Sequence, residues 1–215
     1  MSALQHAAQR LMPDCVSVHA RDPRQPYPLL GSEAEAMARA VPSRQREFSA
    51  GRDAARACLR DLGAPLAPLP VKPDRAPAWP DGYTGSITHS RTACLGAAVR
   101  RSDLRGLGID VEPDEALPEA LMETVLRPDE ADLTQEARRV FSVKEAVYKA
   151  ISSELDRILE FRDLRLERGS AGTFRAHLTA RAGPWRAGAA FTAVTTSCAG
   201  HILSACWLTQ EHTPC

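Results

Sequence analysis

The chain has 215 residues, with 27 Lys and Arg against 27 Asp and Glu and therefore no net formal charge. That balance argues against a nucleic-acid binder. No run nears the ~20 apolar residues of a membrane span, and the N-terminus "MSALQHAAQRLMPDC" lacks the basic head and apolar core of a secretory signal. The length allows one large domain or two small ones. The cysteines, Cys15, Cys58, Cys94, Cys198, Cys206 and Cys215, form no CxxC pair, so reduced thiols in a cytoplasmic protein are expected rather than a zinc site or a disulfide framework.

In chain order, "CVSVHA" alternates as a strand. Ser32 followed by Glu35 is a capping-box pattern that starts a short helix, which Pro42 ends or interrupts. Ser43 then caps a second helix that stops at Gly63. Phe48, Ala55, Cys58, Leu59 and Leu62 share one face of it, and Arg52, Arg56 and Arg60 another. The proline-rich stretch 64–79 reads as an extended surface connector. Strands follow at 92–99 and in "GLGIDVE". A helix spans 118–126, and a stronger one 135–152 with Val140, Val143, Val147 and Ile151 as its buried stripe. Three more strands are expected at 164–167, 173–180 and 201–208. No internal repeat is evident. The layout fits an α+β chain of two halves, 1–105 and 106–215.

Three stretches carry chemistry. In "GLGIDVEP", Asp110 and Glu112 are two apart on a strand and share a face, with Ile109 and Val111 on the other. Two like charges so placed repel unless a cation lies between them, and hard oxygen donors suit Mg²⁺ or Mn²⁺ over zinc. By that reading, removing Asp110 relieves repulsion and can stabilise the metal-free protein. The competing reading is a solvated acidic edge strand. In "FSVKEAVYKA", Glu145 and Lys149 share a helix face one turn apart. They are either a third metal carboxylate with an ammonium for a phosphate, or a surface ion pair. In "GSITHS", Gly85 permits close approach, Thr88 and Ser90 supply hydroxyls, and His89 can donate to an anion. A Mg²⁺-dependent nuclease would use similar residues but wants a basic face. A non-catalytic scaffold would not need the acidic set intact.

Taken together and in this order, the three stretches resemble the signature motifs of the 4′-phosphopantetheinyl transferases, in particular the branch of enterobactin synthetase component D. The basic helix "SRQREFSAGRDAAR" and the segment "RAPAWPDGYTGSITHS" extend the resemblance over residues 43 to 150. It implies a pseudo-dimer of two similar α+β halves with coenzyme A between them. The implied enzyme moves the phosphopantetheine arm of coenzyme A to a serine of an apo acyl or peptidyl carrier protein, releasing 3′,5′-ADP, in siderophore, polyketide or nonribosomal peptide synthesis.

By motif position, Asp110, Glu112 and Glu145 are the implied Mg²⁺ ligands and Lys149 contacts the phosphate. Thr88, His89 and Arg75 hold the 3′-phosphate, and Arg44, Arg52 and Arg56 are candidate coenzyme A contacts. Thr88 stands where many relatives have serine, and either hydroxyl donates to phosphate. The base toward the carrier serine is Glu145 or a metal-held water. A monomer is expected, without nucleic acid and without membrane association. Leu117, Leu121, Met122 and Val125 fall on one helix face, which either packs on the domain's own core or docks the carrier.

Overall fold

The computed structural model describes residues 2–211; Met1 and residues 212–215, Cys215 among them, lie outside the described residues. The chain divides into two compact units between Arg105 and Gly106. Each is an antiparallel sheet with one long helix against it, the mixed α+β class that the layout implies.

In the first unit, α1 (Ser2–Leu11) precedes β1 (Ser17–Arg21), α2 (Ser32–Met37) and α3 (Pro42–Asp61), followed by β2 (Tyr83–His89) and β3 (Cys94–Arg100). The sheet runs β1-β3-β2. Ala55, Cys58 and Leu59 of α3 are buried against Ala98 and Leu69. Gly96 on β3 makes this close packing possible, because a Cβ there would lie 2.7 Å from the Ala55 amide nitrogen.

Three details depart from the sequence expectation. Gly31, not Ser32, precedes α2, and no side chain caps it. Pro42 does not end a helix but opens α3, where its missing N–H costs nothing. The proline-rich stretch is not simply extended either: Val71 bridges Pro77 around a tight turn in which Arg75 adopts φ +70°.

In the second unit the order is β4 (Gly106–Pro113), α4 (Glu119–Val125), a 3₁₀ segment (Pro128–Glu136), α5 (Ala137–Ile151), β5 (Leu164–Arg168), β6 (Thr173–Leu178), β7 (Ala190–Cys198) and β8 (His201–Leu208). The five-stranded sheet runs β4-β8-β7-β6-β5, so the last strand lies between β4 and β7. Val140, Val143, Val147 and Ile151 are fully buried. Each such side chain contributes ~1.5–3 kcal/mol relative to exposure.

Leu117 and Val125 belong to the same core, and Met122 packs against it. Only Leu121 of that face is exposed, at 41%. The face is thus largely core. Met122→Glu is expected to destabilise the protein by about 1–3 kcal/mol, the cost of putting a polar group where an apolar one packs, read as a lower melting temperature. An unchanged melting temperature together with a severalfold higher KM for the carrier would return the face to a docking role.

One device occurs in both units. Glu33, fully buried, accepts from Leu30 N at 2.9 Å and Leu69 N at 2.8 Å, and pairs with Arg56 of α3. Glu130, equally buried, accepts from Arg127 N at 2.9 Å, Leu166 N at 2.6 Å and Lys144 Nζ of α5 at 2.7 Å. In both, one oxygen takes the amide three residues back and the other an amide 36 residues on. A buried carboxylate tolerates burial only when its lone pairs are used in this way. The two units thus repeat one arrangement of contacts around a buried glutamate.

Candidate active site

The carboxylate pair is positioned by the two glycines before it. Gly106 and Gly108 share a face of β4 with Asp110 and Glu112. A Cβ on Gly108 would overlap the Ala146 carbonyl oxygen and lie 2.5 Å from Ala150 N. Without side chains there, α5 settles directly on β4. The "GLG" of the motif therefore sets the helix at the depth that brings Lys149 and Glu145 to Asp110.

Asp110 is 4% exposed. Lys149 Nζ donates to its Oδ1 at 2.7 Å and to the Ile109 carbonyl at 3.3 Å, and lies 3.7 Å from Glu145 Oε2. Burial alone pushes the Lys149 ammonium down, but Asp110 and Glu145 outweigh it and hold it above its usual value. Burial, and then the charge of Asp110, raise the carboxyl of Glu145. Glu112 is raised for the same two reasons, while Arg138 acts in the opposite direction. Arg138 Nη1 donates to Glu112 Oε2 at 2.8 Å.

The donor set fits a hard divalent cation in its chemistry: three carboxylates, two of which already share a positive charge and all of which feel Asp110 or are Asp110. They are not gathered into a cage. Among the described residues, no three His, Cys, Asp or Glu side chains stand closely enough to hold a metal. Glu112 is turned to Arg138, whereas Asp110 and Glu145 meet at Lys149.

In the first unit, β2 alternates, burying Thr84, Ser86 and Thr88 and leaving His89 exposed at its end. Arg44, in the first turns of α3, places Nη1 3.3 Å from His89 Nε2, so two predicted anion contacts meet. Gly85 does allow a close approach, but of the Trp79 ring and the Ala97 carbonyl. Arg75 is exposed in its turn.

Arg52 and Arg56 are placed differently from Arg44. Arg56 is committed to Glu33 and the Pro28 carbonyl. Arg52 is 5% exposed, donates Nε to Leu69 O at 2.8 Å and lies over the Phe48 ring at 4.3 Å. Burial lowers its guanidinium to about 10. Both hold the first unit together, work that a four-residue arginine spacing does not disclose. Arg138 and Lys144 also went unassigned in the sequence, since neither spacing nor motif shows what an arginine or lysine touches.

A sequence profile described as the 4′-phosphopantetheinyl transferase N-terminal domain matches residues 32–99, and one of the 4′-phosphopantetheinyl transferase superfamily matches 106–206. The chain is 40% identical over 161 residues to the 4′-phosphopantetheinyl transferase Svp of Streptomyces mobaraensis, covering 70% of this chain and 65% of that one. It is 35% identical to the 4′-phosphopantetheinyl transferase Npt of Nocardia iowensis, over 68% of this chain and 73% of Npt. Enterobactin synthase component D of Salmonella typhimurium is 34% identical over 52% of this chain and 50% of its own length. The chain belongs to the 4′-phosphopantetheinyl transferase superfamily. The matches reach 65% and 64% of the lengths of Svp and of PptT from Mycobacterium tuberculosis. Among the described residues, no helix is long and apolar enough to cross a membrane.

Proposed function

We propose that the protein transfers the 4′-phosphopantetheine arm of coenzyme A to a serine of an apo acyl or peptidyl carrier protein, in siderophore or other secondary-metabolite synthesis. The observation that carries this reading is Lys149 against both Asp110 and Glu145, on motifs that belong to a transferase superfamily. Svp, PptT and Npt, each named a 4′-phosphopantetheinyl transferase, support the transfer, and the likeness to enterobactin synthase component D supports the link to siderophore synthesis.

In this reading Asp110, Glu112 and Glu145 would hold Mg²⁺, which supplies neutralisation of charge on the pyrophosphate. The Lys149 ammonium meets a phosphate oxygen. Of this chain's residues, Glu145 would take the proton of the carrier serine, since it lies beside Lys149 at the site. The serine oxygen bonds to the phosphorus bearing the pantetheine arm, and the bond from that phosphorus to the departing oxygen breaks. Its electron pair leaves with 3′,5′-ADP. Arg44, Arg75, Thr88 and His89 bind the 3′-phosphate. A reducing compartment, the cytoplasm, suits the five described cysteines, all free thiols.

Calorimetry tests the cofactor half of the proposal. A lost charge-assisted hydrogen bond costs about 1.5–3 kcal/mol, so coenzyme A is expected to bind about 10- to 150-fold more tightly than 3′-dephospho-coenzyme A. His89→Ala should shrink that ratio. Equal affinity for the two compounds would remove the 3′-phosphate assignment.

A further inference from the structure

Glu112 is the one member of the acidic set that Lys149 does not hold; Arg138 holds it instead. Arg138 is itself fixed at a second point, its Nη2 donating to the Ala116 carbonyl at 3.0 Å. It thus spans from α5 to the turn after β4 and grips one oxygen, Oε2, of a half-buried carboxylate. The guanidinium fork suits such a two-point strut, and a lysine would not reproduce it.

We infer that Arg138 is a positioning residue for the divalent cation: by holding Oε2 of Glu112 it fixes that carboxylate with Oε1 left to act as ligand. The inference rests on the metal reading above. Partners of this kind orient ligating carboxylates, and losing one typically costs 10–100-fold in metal affinity. The physical alternative is a rival cation that keeps Glu112 from the metal, and it has the opposite sign.

The test is Mn²⁺ binding, followed by electron paramagnetic resonance of the free ion with coenzyme A present and no carrier. Wild type, Arg138→Gln, Glu112→Gln and the double variant are compared. Arg138→Gln is expected to bind Mn²⁺ roughly 10–100-fold more weakly than wild type. In the Glu112→Gln background the same change should do almost nothing further, because the strut acts through Glu112. A general loss of structure would weaken binding in both backgrounds and so would overturn the assignment. Unchanged or tighter binding in Arg138→Gln, with wild type binding normally, overturns it as well and leaves the metal reading standing. A wild type that takes up no Mn²⁺ overturns the metal reading together with the role of Arg138.

Discussion

Asp110→Asn is expected to cut phosphopantetheine transfer by roughly 10²–10⁴-fold, taking the charge stabilisation at stake as several kcal/mol. The substitution keeps the shape of a side chain that is 4% exposed and removes only its charge. It also strips Lys149 of its 2.7 Å carboxylate partner, leaving Glu145 at 3.7 Å. Stability should therefore fall, by about 1.5–3 kcal/mol for a charge-assisted bond, and by less to the extent that water reaches Lys149. The sequence suggested the reverse sign, relief of repulsion with Glu112. The sign changes because the nearest charge to Asp110 is the ammonium brought down by α5, and no reading of β4 alone contains it. Steady-state kinetics and urea unfolding of the same variant check both parts. A wild-type rate would show that the carboxylate has no part in the reaction.

Glu130→Ala is expected to give the largest loss of stability, about 3–5 kcal/mol, as removal of one partner of a buried ion pair does. Glu130 and Lys144 are 0% and 1% exposed, and Lys144 Nζ donates to Glu130 and to the Val125 carbonyl. Burial already lowers the lysine's affinity for its proton. Once the carboxylate is gone, that ammonium is stranded and two amides, Arg127 N and Leu166 N, lose their acceptor. Adding Lys144→Met should recover only part of the loss, since the amides stay unpaired. Because Lys144 precedes Glu145 on α5, activity should fall with stability in Glu130→Ala. Urea midpoints that match wild type would mean the pair contributes nothing.

What could be read from the sequence follows from where its information lies. The stripe Val140, Val143, Val147 and Ile151 repeats at helical spacing, so α5 was legible, and β8 at 201–208 was legible by its apolar run. β7 was not, although Phe191, Ala193 and Thr195 alternate inward. Its small and hydroxylated side chains resemble those of the glycine-flanked turn around it. The meeting of Asp110 with Glu145 and Lys149 could be anticipated through the resemblance of the two motifs to those of the transferases, because spacing alone pairs only Asp110 with Glu112 and Glu145 with Lys149. The buried glutamates could not, since each closes contacts to an amide 36 residues away. Nor could the division of labour among the arginines. Arg44 meets His89, Arg52 and Arg56 brace the first unit, and Arg138 meets Glu112. The residue type is identical in all four, and only the tertiary partner separates them.

The central claim is transfer itself, and intact-protein mass spectrometry of an apo carrier protein measures it most directly. The carrier is incubated with the protein, coenzyme A and Mg²⁺, and Asp110→Asn is run alongside. The carriers are a panel of acyl and peptidyl carrier proteins. The expected result is a carrier heavier by one phosphopantetheine group, on serine, with 3′,5′-ADP formed in equal amount and both signals nearly absent with Asp110→Asn. Carriers that stay in the apo form across the panel, while coenzyme A and Mg²⁺ are both shown to bind, would contradict it.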